Sequence, residues 1–279
     1  MKIIAKLSVL CLAVLFLSCN KIENFLEIET PRFSGSYAPD QTSVPEELKI
    51  VSFNIEFAEK VEEAIDEIRT SENLQNADLI LLQEMDEVGT ELIARTFDYD
   101  YVYYPSNRNL NGQLFGLAIL SKWPIVDDEK ILLPHETPVN ERKRIAMSAQ
   151  VMIGDEPLRV YNIHASTLSV PKANRREQFR TLMYHLNDLE ENEAIPRVLI
   201  AGDFNTDKDV DIDYLVDIYQ AEGFDWISED IGPTYQIFSG FATYRLDHVF
   251  TRGFDLIEAG KNAETQASDH VPVWVRLRN

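Results

Sequence analysis

The sequence predicts a domain of β-sheets packed under helices, in the α/β or α+β class. Three observations carry that prediction. Short apolar runs, several alternating with a two-residue period, recur along the chain. Segments with helical spacing interleave with them, which calls for sheets covered by helices. Hydrophobic residues make up 45% of the 279, enough to fill a sizeable core. The formal net charge of −21 disfavours a protein that grips nucleic acid through a broad basic surface. It leaves room for an enzyme that meets a phosphodiester through a bound cation.

The chain opens on a targeting segment. Lys2 and Lys6 flank the start of an apolar stretch, 7–17, that is too short for a membrane span and fits a signal-peptide core. It ends in Leu15-Phe16-Leu17-Ser18-Cys19. A small residue before Cys at this place resembles the lipobox of bacterial lipoproteins, where the Cys becomes the lipid-modified first residue. Phe16 stands where that pattern usually has Leu. The alternative is an ordinary cleaved signal with an incidental cysteine. On the first reading, residues 1–18 are removed and Cys19 carries lipid in a bacterial cell envelope, periplasmic or at the cell surface. Cys11 would leave with the signal, so the remaining Cys forms no internal disulfide and no Cys-rich zinc site. Residues 19–46 hold Thr30-Pro31, Ser34-Gly35-Ser36, Pro39-Asp40 and Ser43-Val44-Pro45 without sustained periodicity. They read as a flexible tether holding a folded domain, 47–279, away from a membrane. No internal repeat is present, and a monomer is expected.

Within 47–279 the elements follow in order. Residues 48–57 alternate, with Val51, Phe53 and Ile55 on one face and Ser52, Asn54 and Glu56 on the other. Residues 60–69 read as a helix with Val61, Ile65 and Ile68 on one side. Residues 78–83 form a nearly continuous apolar strand, as expected for one covered on both faces. Strands are predicted over 116–120, 145–153 and 158–163. The clearest helix is 172–189, with Phe179, Leu182, Met183, Leu186 and Leu189 at helical spacing. Strands over 197–201, 245–250 and 271–277 complete the set. Tyr101, Tyr103 and Tyr104 are read as strand packing rather than a base-stacking platform.

The ends of these strands carry the chemistry. Val198-Leu199-Ile200-Ala201 breaks into Gly202-Asp203-Phe204-Asn205. Side chains at i and i+2 point the same way, so Asp203 and Asn205 emerge together while Phe204 turns to the core. The other strand ends give Asn54, Glu84, His164, Asp247 and the Ser268-Asp269-His270 triplet. Each alone has an ordinary structural explanation: a turn, a helix start or a satisfied buried histidine. Together they suit phosphate-ester hydrolysis, which needs charge neutralisation, a nucleophile made from water and a stabilised leaving oxygen. Glu84 and Asn54 offer oxygens for Mg²⁺ or Mn²⁺, with Asp269 as a further ligand. His270 paired with Asp247 reads as a general-base dyad. His164 and Asn205 can donate to phosphoryl oxygens, and Asp203 can orient or deprotonate water. Arg142, Lys143 and Arg144 form a basic cluster, and Arg175 and Arg176 open the long helix. Arg144 and Arg176 are the substrate-binding candidates, against the alternative of a solvated face.

The order Asn54, Gln83-Glu84, His164, Gly202-Asp203-Phe204-Asn205, Asp247 and Ser268-Asp269-His270 resembles the endonuclease/exonuclease/phosphatase superfamily, which includes deoxyribonuclease I. The resemblance covers roughly 48–277. It implies an α+β, four-layer α/β/β/α sandwich with two central mixed sheets and divalent metal at the strand ends. It implies that Glu84 is the central ligand, that Asn54 assists it and that Asp269 lies at the metal edge. It further implies phosphate contact by His164, handling of nucleophile and phosphoryl group by Asp203 and Asn205, and Asp247 orienting His270. Deoxyribonuclease-like members pair the middle His with an earlier Glu, whereas residues 116–120 here hold no acid. The expected substrate is a phosphorylated small molecule or lipid headgroup. The rivals are a nuclease acting on DNA or RNA and a non-catalytic surface binding lipoprotein.

Overall fold

A computed structural model describes residues 22–41, 43–206, 208–237 and 242–279. The predicted signal segment 1–18 and Cys19 lie outside the described residues. No helix among the described residues is long and apolar enough to cross a membrane.

Two sheets pack face to face with helices outside, in the predicted α+β four-layer sandwich. The first has eight strands: β1 (Glu23–Asn24), β2 (Phe33–Gly35), β3 (Glu47–Asn54), β4 (Leu79–Met85), β5 (Asp100–Arg108), β6 (Leu114–Ser121), β15 (Asp255–Lys261) and β16 (Val273–Arg278). The second has six: β7 (Ile125–Glu136), β8 (Lys143–Ile153), β9 (Glu156–His164), β10 (Val198–Asp203), β11 (Asp225–Trp226) and β14 (Asp247–Arg252). A short ribbon pairs β12 (Tyr235–Ile237) with β13 (Ala242–Tyr244). Both sheets are mixed. β3 runs parallel to β4 and β9 runs parallel to β10, while the other neighbours are antiparallel.

Alternation decides the layers. Ile50, Leu79, Leu81, Leu117 and Ile119 of the first sheet meet Ile145, Met147, Val160 and Leu199 of the second in a central core. The opposite faces bury the helices. Val51, Phe53, Ile80 and Leu82 pack with Ile65 and Ile68 of α1 (Val61–Thr70) and Ile93 of α2 (Glu87–Thr96). Tyr161, Ile163 and Ile200 pack with Phe179, Leu182 and Leu186 of α3 (Lys172–Glu190) and Leu215 of α4 (Asp209–Gln220). Because both faces of the central strands are covered, β4 and β10 are almost wholly apolar. The last strand, β16, lies inside the first sheet between β3 and β15. Asn279 then donates from its backbone amide to the Glu46 carbonyl at 2.9 Å.

The tether expectation fails for most of residues 22–46. Asn24 pairs with Asn107 of β5, and Phe33–Gly35 pairs with Tyr103–Tyr101 of the same strand. The physical reason is Lys130, whose side chain is fully buried. Its ammonium donates to the carbonyls of Thr30 at 2.7 Å and Phe25 at 3.3 Å. A buried cation needs acceptors, and this segment supplies them. Arg32 adds a two-pronged ion pair to Asp128. The three tyrosines behave as packing, since Tyr101, Tyr103 and Tyr104 are all buried along β5.

Candidate active site

Strand register brings the polar ends together. Asn54 is opposite Gln83, Asp203 is opposite His164 on one side and Asp247 on the other. Above them opens a cleft of about 580 Å³ whose lining includes Glu84, Arg144, His164, Asp203, Asn205, Asp269 and His270. Asn54 and Asp247 sit just beneath it, both buried. Among the described residues, the sequence candidate placed elsewhere is Arg176. Its guanidinium stacks 4.1 Å from the Tyr214 ring and donates to the Val210 carbonyl, turned toward α4 and away from the cleft. Asp211 draws Arg175 and Arg176 there, being a buried carboxylate within 2.6 Å and 3.6 Å of them.

Local backbone aims the groups. Glu84 sits at a β-bulge in β4 with φ 60°, which turns its carboxylate into the cleft rather than along the strand. Its Oε2 accepts from the Phe57 amide at 3.1 Å. Gly202 has φ 140°, and a Cβ there would lie 2.2 Å from the Ile163 carbonyl oxygen, so only glycine lets β10 approach β9 before Asp203. Asn205 follows at φ 51°; its amide proton goes to Asp203 Oδ1 at 2.8 Å and its side-chain nitrogen to the Ala165 carbonyl at 3.0 Å. Phe204 fills the core beside Phe179, Tyr219 and Phe250. Non-glycine residues in this backbone region persist only where surroundings hold them, as here.

Asp203 is the hub. Its Oδ2 accepts from Asn54 Nδ2 at 3.1 Å and lies 3.4 Å from His164 Nε2 and 3.7 Å from His270 Nε2. Burial drives its carboxyl up to about 7; Asp247 adds to this and the His270 charge opposes it. The two histidines are held from behind by opposite partners. Arg144 Nη1 donates to His164 Nδ1 at 3.0 Å. Arginine has only donors, so Nδ1 is the acceptor and the ring proton sits on Nε2, facing the cleft. Burial and the guanidinium charge hold His164 well below the usual imidazole range. Behind His270 stands Asp247, whose Oδ2 lies 2.8 Å from Nδ1. Burial disfavours the imidazolium, but Asp247 and Asp203 outweigh it and raise His270 to about 10. The Asp247 carboxylate thus favours the charged ring.

Several contributors escaped the sequence reading. Thr234 donates to Asp247 Oδ2 at 2.6 Å and accepts the amides of Leu246 and Asp247, and no pattern around it marks that role. Gln83 donates to Asn162 Oδ1 at 2.8 Å, tying the two sheets together under the cleft. Gln83 adjoins Glu84 on β4 and Asn162 lies two positions before His164 on β9, which was a usable signal for this pair. Arg142 and Arg144 stack 4.7 Å and 5.2 Å from the Phe115 ring, with Arg142 also donating to Asn109. Glu56 lines the same cleft, its carboxyl raised by burial and by Asp269.

Sequence comparison places this architecture in a family. The chain belongs to the endonuclease/exonuclease/phosphatase family, whose model matches residues 51–270. Members of that family hydrolyse phosphoesters and generally use divalent metals. No curated protein sequence matches the chain. Among solved structures, it resembles D. rerio TDP2 complexed with a single-strand DNA product (16% identity, TM-score 0.66, covering 84% of this chain and 100% of that one). It also resembles a mannosyl-6-phosphatase from Bacteroides thetaiotaomicron (17%, 0.63, 82% and 99%). A third is sphingomyelinase C from Streptomyces griseocarneus (18%, 0.60, 84% and 99%). At these identities the likeness is one of fold.

The donors present fit a hard divalent cation. Asn54 Oδ1 is buried with no hydrogen-bond partner, an arrangement that is costly unless something electropositive meets it. The Glu84 carboxylate faces the same cleft. Among the described residues no cluster of three or more His, Cys, Asp or Glu has ligand spacing. A cation that keeps most of its waters needs only one or two carboxylates, and the amide oxygen falls outside such a cluster.

Proposed function

We propose that this chain is a metal-dependent phosphoester hydrolase, lipid-anchored through Cys19 in a bacterial cell envelope, acting on a phosphorylated small molecule or lipid headgroup. The observation that carries the reading is the convergence of His164 Nε2, His270 Nε2 and Asn54 Nδ2 on one carboxylate oxygen of Asp203. Such a pocket offers donors to the phosphoryl oxygens and an acceptor to a water proton. Asn54 and Glu84 would hold Mg²⁺ or Mn²⁺, with Asp269 at the edge. When bound, the cation neutralises phosphoryl charge and lowers the pKa of a coordinated water.

The protein groups divide the remaining work. His164, fixed by Arg144 with its proton on Nε2, donates to a non-bridging oxygen without changing charge. His270, charged and oriented by Asp247, stabilises the negative charge that builds in the transition state. Asp203 takes the proton of the attacking water, and Asn205 completes the oxygen contacts. A panel with Mg²⁺ or Mn²⁺ tests the reading: bis-p-nitrophenyl phosphate, inositol phosphates, sphingomyelin, plasmid DNA and RNA. Chelator-sensitive turnover of a small or lipid phosphoester is the expected result. Turnover of plasmid DNA alone would favour the nuclease reading, to which the D. rerio TDP2 likeness lends support. No turnover of any member would favour a binding protein.

A further inference from the structure

The segment expected to hang free instead docks beside the mouth of the cleft. Asn24 lies opposite Asn107 at the cleft end of β5. Its side chain donates to the Glu141 carbonyl at 2.7 Å and accepts from the Lys143 amide at 2.9 Å. Those two residues close the β7–β8 loop, whose Val139 and Asn140 line the cleft. Cys19 precedes Asn24 by only five residues, a contour of at most about 18 Å. On the lipid-anchor reading, the anchor therefore joins the described domain at the cleft end of β5.

Exposed apolar side chains stand out here: Phe57, Val139 and Leu168 line the cleft, and Leu110 tops the neighbouring β5–β6 turn. Val139 is 90% exposed, Leu110 66%, Leu168 58% and Phe57 37%. They come from separate loops, and hydrogen bonds gather three of them. Asn109, beside Leu110, accepts from Arg142 Nη2 at 2.6 Å, and Gln113 donates to the Phe57 carbonyl at 2.9 Å. Single exposed apolar side chains are ordinary, but several around one opening mark a contact surface.

We propose that this rim faces the membrane that carries the Cys19 anchor, so that the cleft opens onto the headgroup layer. The inference rests on the lipid-anchor and hydrolase readings and narrows the substrate to phosphoesters of membrane lipids. An anchored domain meets its own bilayer at high effective concentration, so a small apolar rim suffices to set its orientation.

The test uses the full mature chain in phosphatidylethanolamine/phosphatidylglycerol vesicles that contain a lipid with a nitroxide on its headgroup. Leu110→Cys and Leu256→Cys each give one labelling site, since lipid blocks Cys19 and Cys11 leaves with the signal. Leu256 pairs with Leu277, which pairs with Leu48 at the end of β3 far from Asn54. A fluorophore at 110 is expected to be quenched several-fold more than one at 256. Equal quenching, stronger quenching at 256, or absence of lipid on Cys19 by mass spectrometry would each overturn the proposal. Turnover of bis-p-nitrophenyl phosphate by the same variants in detergent separates the two readings. Selective quenching at 110 without any phosphoesterase activity would sustain the orientation and reject the hydrolase.

Discussion

The His164 and His270 corners of one cleft share depth and differ in charge. Both rings are buried, and both present Nε2 to the same oxygen of Asp203. One is backed by the Arg144 guanidinium and stays neutral, the other by the Asp247 carboxylate and stays charged. Burial disfavours the imidazolium in both places, so the partner behind the ring decides its state. A site can thus hold a neutral donor and a cationic one side by side, at a single pH, on the same scaffold.

The comparison breaks most sharply at His270. His270→Ala is expected to lower kcat on the order of 10³-fold, the upper range for losing one transition-state contact. Asp247→Asn should cost less, because the ring remains in place. The two losses should be strongly non-additive in the double mutant, as for groups that act as a unit. Multiplying losses would show that the residues work separately. Next in size is the Glu84 carboxylate, 3.6 Å from His164 Nε2. Glu84→Gln is expected to cost at least ~100-fold in activity, with a raised Mg²⁺ requirement; normal turnover at limiting Mg²⁺ would remove Glu84 from the metal.

A smaller effect sharpens the His164 side. Arg144→Met removes the donor to Nδ1 and should cost about tenfold, the scale of one hydrogen bond to a charged group. Imidazole ¹⁵N spectra should show Nδ1 unprotonated in the parent and a mixture of tautomers in the variant. An unchanged tautomer would mean that Arg144 does not set it. The smallest effect concerns His248, which is buried and neutral but outside the cleft. Thr206 Oγ1 and Trp226 Nε1 satisfy its two nitrogens at 2.7 Å and 3.2 Å. Burial lowers its pKa from 6.5 to about 3. Between those values the unfolded chain binds a proton that the folded one does not, so stability falls as pH drops through this window. His248→Gln keeps a donor and an acceptor without titrating. Its loss of stability with acid should be shallower by at most about 1.4 kcal/mol per pH unit. Parallel denaturant curves from pH 6.5 to 4 would measure this, and identical slopes would exclude it.

Much of the cleft was legible because its residues obey local rules. Asp203 and Asn205 flank a core-directed Phe204, as their spacing at the end of an apolar run requires. Asp247 and His270 were separable from other acids and histidines because each adjoins a buried strand. Arg176 misled because a basic residue at a helix start says nothing of a carboxylate on another helix, here Asp211. The tether misled for the same reason. Turn residues over 22–46 were visible, whereas the acceptors needed by Lys130, far along the chain, were not. The bulge at Glu84 was also hidden, since register between β4 and β6 is a property of two strands. Helices α2 and α4 lacked the long apolar stripe of α3, and each is recognisable chiefly by what it packs against.

The placement of β16 has a consequence in time. This strand follows all the other described strands in the chain yet fills an interior slot of its sheet, and Asp269 and His270 arrive just ahead of it. A partly synthesised chain has neither a closed sheet nor a complete set of reactive groups, and its long-range pairings are slow to form. The polypeptide should therefore stay open and inert until β16 has been made. Protease protection of stalled chains of increasing length is expected to appear in one step, only once β16 has emerged.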